Sequence, residues 1–265
     1  MWWRLPKQQV ARLALKIRDP KARADVEDNF RKTVGQALGG AAVLIGAFGA
    51  YLQFSQQQRS SHDLLISSQV SKGFEQLGSE KVIVRLGGIY ALEGVMNASD
   101  QYHKPVLEAL SAFVREGAKR PTTPPMPGPP TDIQAALTVI GRRSAGLGII
   151  HLDNTILVGA TLGDANLNGA DLRGTVLSYA YLGAANLSDA DLFKADLSHA
   201  SLRAADLSGA YLRDADLSGA YLSHANLTDA SLDGQKQLDE ACGSDAVLPT
   251  GLTLKPCSDP HWRER

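Results

Sequence analysis

The chain has 265 residues, with 27 Lys and Arg against 28 Asp and Glu and a formal net charge of −1. That length fits one large or two modest domains, and the balance excludes the global basic excess of a nucleic-acid binder. Two cysteines, Cys242 and Cys257, are too few for a disulfide framework or a four-cysteine metal site.

Charge is uneven along the chain. Residues 1–33 carry nine Lys or Arg against four Asp or Glu. Residues 34–54, VGQALGGAAVLIGAFGAYLQF, carry no charge over 21 positions. At about 1.5 Å per residue this stretch reaches roughly 30 Å, one hydrocarbon thickness, and predicts a single transmembrane helix. A buried soluble helix is the competing reading. A cleaved signal peptide fits worse, because the leading region contains acids and the apolar run exceeds an h-region. Gly35, Gly39, Ala42, Gly46 and Ala50 recur three or four apart, the spacing that lets membrane helices self-associate; a Gly/Ala-rich span with no partner is the plain alternative. Residues 55–85 are nearly balanced, with four Lys or Arg against three acids. The positive-inside rule then places the N-terminus in the cytoplasm and the body outside.

Residues 55–120 read as a small helical region of three short helices. Val70, Phe74 and Leu77 share a face, as do Leu86, Ile89, Leu92 and Met96, and Val106, Leu110 and Phe113. Gly78, the stretch 97–100 and Pro105 mark the joints, with Pro105 suited to a first helical turn. PTTPPMPGPP, residues 121–130, has six prolines in ten and predicts a semi-rigid linker. Residues 131–149 contain one more helix, over 131–143, with Ile133, Leu137 and Ile140 on its apolar side and Thr131 or Asp132 as its cap.

From there to residue 234 the pattern changes. Leu recurs at every fifth position: Leu152, Leu157, Leu162, Leu167, Leu172, Leu177, Leu182, Leu187, Leu192, Leu197, Leu202, Leu207, Leu212, Leu217, Leu222, Leu227 and Leu232. Two places earlier stands Ala in fourteen of seventeen cases, with Ile150, Thr155 and Thr175 as the others. A five-residue period smears around a helix and alternates faces on a strand. A backbone turning one corner of a square per five residues points every Leu and every small residue inward and closes a coil in twenty. Asn166, Asn186, Asp206 and Asn226 fall in register at twenty, as do Thr161, Tyr181, Ser201 and Tyr221. Such self-similarity is the mark of a solenoid.

These tandem A-(D/N)-L-x-x units resemble the pentapeptide-repeat proteins, and the resemblance covers residues 150–234. It implies a right-handed quadrilateral β-helix of about four coils, so the expected fold class is α plus β-solenoid. Residues 26–120, with GFEQLGSEKVIVRLGGIYALEGV and AFVRE, resemble a bacterial membrane subgroup of that family, which implies the inner membrane. Related chains often carry another hydrophobic segment ahead of this one; if Trp2–Trp3 is its remnant, the orientation inverts. The tail 235–265 contains QKQLDEACGSDAVLPTGLTLKPC, which resembles the end of related chains and is placed to cover the last coil, as the helix at 131–143 is placed to cover the first.

The polar positions offer few signs of chemistry. The Asn/Asp ladder reads as a cation site or, more simply, as turn residues bonding the backbone. His199 and His224 lie one coil plus one face apart, which does not suit a shared metal. Tyr181, Phe193, Tyr211 and Tyr221 are outward aromatics on what the pattern suggests are two neighbouring faces, a candidate interaction surface. Cys242 and Cys257 are expected to bridge outside the cytoplasm and to stay reduced within it. No phosphate loop, dinucleotide fingerprint, HExxH or nucleophile elbow occurs, so no enzyme, cofactor or metal is expected. The span, the helical region and the flat faces of a rigid column point to a membrane-tethered module that binds an unknown protein partner. The resemblance implies a second reading, a DNA-like acidic surface acting on a topoisomerase, favoured by eleven Asp against four Lys or Arg over 150–234; direct nucleic-acid binding is not expected.

Overall fold

The computed structural model describes residues 64–118, 128–143 and 148–257, together with residues 21, 24, 25, 28, 29, 32, 33, 48–51 and 53. The chain divides into two compact units, Met1–Leu65 and Ile66–Arg265. In the first, the described residues before 54 are helical and exposed. Most of the predicted span 34–54, with Gly35, Gly39, Ala42 and Gly46, lies outside the described residues, as do Trp2 and Trp3; Ala50 is helical. Among the described residues no helix is long and apolar enough to cross a membrane.

From residue 64 onward the chain forms helices that are longer than their sequence signals. They are α1 (residues 64–77), α2 (Val82–Ala98) and α3 (Asp100–Gly117). Val70, Ile89, Leu92, Met96, Val106 and Leu110 are buried as their spacing predicts, while Phe74 is exposed. Helices α1 and α2 come closest at two glycines. A Cβ on Gly88 would lie 2.9 Å from the Gly73 carbonyl, and one on Gly73 would lie 2.7 Å from Leu92. Pro105 does not start a helix; it sits inside α3. The break falls at Ser99, inside the joint expected at 97–100, where extended backbone separates α2 from α3.

Helix α4 (Thr131–Gly141) packs on both. Its N-cap position is taken by Pro130, and no side chain caps it. Asp132, expected as a cap, is buried and accepts a hydrogen bond from Arg85 Nε at 2.6 Å. A buried carboxylate needs a charged partner more than a helix end needs a cap. Of the linker 121–130, only residues 128–130 are described.

From residue 151 to 230 each five-residue unit contributes one bridge residue and one turn. The bridges are parallel with a register of twenty and form four ladders. They run through His151, Asp171, Asp191, Tyr211 and Ser231; through Ile156, Val176, Asp196 and Asp216; through Thr161, Tyr181, Ser201 and Tyr221; and through Asn166, Asn186, Asp206 and Asn226. From Leu157 to Leu227 each Leu carbonyl accepts the N–H three residues on, as in Ala180 to Leu177 at 3.0 Å. The residue before that donor takes a positive φ, 59° at Tyr179 and 68° at Gly209, which is what a type II turn requires at its third position.

The leucines from Leu152 to Leu227 are all buried, at 2% exposure or less. Leu232 departs from the expected ladder and is half-buried, because the chain leaves the coil after it to form α5 (Gln235–Leu238). Thr155 and Thr175, the exceptions at the small position, both donate their hydroxyls to the Leu152 carbonyl, at 2.7 and 2.8 Å.

Both ends of the column are closed. A coil with nothing beneath it leaves its amides and carbonyls unpaired, a cost comparable to lost hydrogen bonds. Ile156 N–H donates to the Ala118 carbonyl and Asn166 N–H to that of Gly141, at 3.1 and 2.8 Å. Gln134 pairs with Thr161 in both directions, accepting from its N–H at 2.9 Å and donating to its carbonyl at 2.7 Å. Arg115 donates to the His151 carbonyl, and Arg143 to those of Asn166, Gly148 and Asn168. Thus α3, α4 and Arg143 stand in for a missing coil. Burial lowers the Arg143 pKa from its ordinary value. At the other end the ladders continue irregularly, Tyr221 to Cys242, Asn226 to Val247 and Cys242 to Lys255.

Candidate interaction surface

The Asn/Asp ladder is a set of turn anchors. Asn166, Asp171, Asn186, Asp191, Asp196, Asp206, Asp216 and Asn226 each accept the N–H two residues on, at 2.9 to 3.3 Å. This Asx geometry fixes the corner that follows each bridge. At Asp216, the Ser218 hydroxyl and backbone N–H outweigh burial, with help from His199, and hold the carboxyl below its usual range. Among the described residues no group of three or more His, Cys, Asp or Glu could hold a metal.

The ladders also place the aromatics. Tyr181 and Tyr221 share one ladder, whereas Tyr211 follows Asp191 on another, and Phe193 lies just after Asp191. Ten residues separate the two ladders, half a coil, so these sides are opposite rather than neighbouring. The error lies in counting corners: a fifth residue moves one side, a tenth moves two.

The two sides differ in character. Tyr181 lies flat across Gly163 and Gly183, where side chains would collide with its ring. Tyr221 is half-buried. Tyr179, which the repeat pattern did not single out, is 61% exposed and stacks on His199 with ring centroids 4.9 Å apart. It occupies the positive-φ turn position, and a large residue where small or polar ones are easier to hold was the available signal.

On the opposite side Tyr211 is 57% exposed and Phe193 38%. Lys194 Nζ sits 5.0 Å from the Phe193 ring centre. Arg173 forks onto Asp171 at 2.6 and 2.8 Å and reaches Asp191 at 3.6 Å. Burial pushes the Asp171 carboxyl up, but Arg173, through its side chain, its N–H and its charge, with His151 adding to it, holds the group below the usual range. Arg213, Phe193 and Tyr211 line the same open groove of about 520 Å³. The twenty-residue register read from the sequence already aligns Arg173, Phe193 and Arg213, with Lys194 next to them; the signal was present but was applied to the polar ladder and the tyrosines and not to the cations.

Eleven Asp do not make one acidic stripe. Asp171 and Asp191 lie on one side, Asp196 and Asp216 on the next, Asp206 on another, and the rest sit in the turns between.

The family model for pentapeptide repeats matches residues 155–192 and 195–234 in eight copies. The chain belongs to the pentapeptide-repeat family. Its repeat region is accordingly a right-handed β-helix. Solved structures similar to this pentapeptide-repeat protein include HetL from Nostoc sp. strain PCC 7120, a protein involved in heterocyst differentiation regulation. The identity is 31%, over 38% of this chain and 57% of HetL, with a TM-score of 0.30. A second pentapeptide-repeat protein from Nostoc PCC 7120 is 31% identical over 37% of this chain and 84% of its own, TM-score 0.25. QnrB1, a plasmid-mediated fluoroquinolone resistance protein, is 20% identical over 39% of this chain and 61% of its own, TM-score 0.24. The chain thus spans about six tenths of HetL and QnrB1. No curated protein matches the sequence.

Proposed function

We propose that this pentapeptide-repeat protein is a non-enzymatic interaction module, tethered to a bacterial inner membrane through residues 34–54, whose contact surface is the side bearing Phe193 and Tyr211. The observation that carries the reading is the pairing of exposed aromatics with cations on that one side. Phe193 and Tyr211 stand exposed beside Lys194 and Arg213, while Arg173 is held by two carboxylates. Aromatic and Arg side chains on a rigid surface are what protein contacts use most. The closed ends leave the sides for recognition.

The second reading, an acidic DNA-like surface for a topoisomerase, has the excess of Asp in its favour. Against it, the ladder carboxylates that would form the stripe are spent on backbone amides, and the three cations above interrupt the acidic column. The interaction reading is therefore preferred.

The test is chemical crosslinking of the full chain in cells. Phe193→Ser with Tyr211→Ser is expected to abolish a crosslinked complex that Tyr181→Ser retains; equal loss from both variants contradicts the reading. The tether is tested separately by fractionation, where the full chain should sediment with membranes and resist alkaline extraction. Recovery in the soluble fraction contradicts the tether. Pairing of two tethers through Gly35, Gly39, Ala42, Gly46 and Ala50 belongs to the same reading, and Gly39→Ile with Gly46→Ile is expected to abolish self-association.

A further inference from the structure

The final rung of the β-helix is built differently from the rest. Within the column a bridge residue both receives and gives backbone hydrogen bonds, as Ser201 does between Leu182 and Ala180. Among the described residues the rung at 253–257 meets its neighbour at a single bridge, Cys242 to Lys255, with the backbone bond from Gly243 N–H to the Lys255 carbonyl at 2.9 Å. Side chains tie it as well: Gln235 donates to the Thr253 carbonyl and accepts from the Thr253 N–H, and Lys255 Nζ donates to the Asp239 carbonyl. The remaining tie is covalent, since Cys242 and Cys257 form a disulfide.

This rung lies over the end of the leucine column. A Cβ on Gly243 would meet the Leu222 carbonyl carbon and the Leu254 side chain, each at 2.8 Å. Gly243 therefore lies close against the backbone at Leu222 and Ser223, with the Leu254 side chain as its other neighbour. Leu248, Leu252 and Leu254 are partly buried against the same core. Both cysteines are half-buried rather than enclosed, so a small reductant can reach the bond.

We infer that the Cys242–Cys257 disulfide is a redox-releasable lock on this terminal rung, closing the column in an oxidising compartment and opening it in a reducing one. A dithiol breaks the Sγ–Sγ bond, delivers two electrons and two protons to the cysteines, and leaves as its own disulfide. The bond closes a fifteen-residue separation. Losing that constraint raises the opening equilibrium of the rung by roughly a hundredfold in the loop-entropy account. Opening frees the Gly243 N–H from the Lys255 carbonyl and loosens Leu254 from the core beneath it.

Hydrogen exchange on the full chain tests this, comparing the oxidised protein, the protein reduced with dithiothreitol, and Cys257→Ser. The Gly243 amide is expected to exchange roughly a hundredfold faster after reduction and in Cys257→Ser, with Tyr181 and Ser201 unchanged. Three results overturn the inference: Gly243 protection unaffected by reduction or by Cys257→Ser; equal acceleration throughout 152–230, which marks a global staple; or two free thiols in the air-oxidised protein.

Discussion

Every fifth residue of the column holds a positive φ, and the side chains there decide local stability one by one. Ala204, with φ of 55°, adopts a conformation that costs a non-glycine residue roughly 1 kcal/mol. Ala204→Gly should therefore raise stability slightly in urea unfolding, partly offset by chain entropy. Gly209→Ala should lower it by about 1 kcal/mol or more, since its Cβ would also meet the Asp189 carboxylate. Acid stability belongs to the same scale. The folded-state pKa of Asp216 is depressed, so its contribution is present above the unfolded value of about 3.9 and is lost as pH falls through the folded value. Asp216→Asn keeps an acceptor for Ser218 but cannot titrate. Its stability near neutrality should fall slightly, by what the ionised carboxylate contributed, and its further loss below about pH 4 should shrink; an unchanged acid limb contradicts the assignment. The leucines were legible because their period admits one geometry. The turn conformation was not, since Asn, Asp, Lys, His, Tyr and Ala all occupy it. Tyr179 shows that the fold, not the residue, dictates that backbone.

Elements were harder to read where two demands met. The sequence marks a helix at 131–143 and assigns Asp132 to its end, but burial beside Arg85 turns that carboxylate into a tertiary ion pair. Pro105 suggests a boundary, yet the eighteen-residue α3 carries it because packing through Val106, Leu107, Leu110 and Val114 outweighs one missing hydrogen bond. What no local pattern reveals is that Gln134 imitates a strand. Gln134→Ala removes both bonds to Thr161 at the exposed edge of the column, where water can replace them, and should cost about 0.5–1.5 kcal/mol in equilibrium unfolding. Gln134→Glu keeps only the acceptor and should fall between. Leu187→Ala, at the centre of the column, should cost about 2–5 kcal/mol through the cavity it opens.

For the whole molecule, a twenty-residue register converts a one-dimensional repeat into four sides, and the candidate contact surface exists only at that level. Phe193 and Tyr211 are eighteen residues apart yet line one groove, while Tyr181 and Tyr211, both outward, point away from each other. The fold and its register were nearly all in the sequence; the exposure of Phe193 and Tyr211 and the pairing of Arg173 with two carboxylates were not, because they depend on packing between coils. Recognition by the sides requires that the ends be closed by the chain itself. Hydrogen exchange on the full chain measures this directly at the first coil. The amides of Ile156, Thr161 and Asn166, held by Ala118, Gln134 and Gly141, should be as protected as those of Val176, Tyr181 and Asn186 one coil above. Rapid exchange at all three would mean an open edge that offers itself to a partner, and the lateral account would fail.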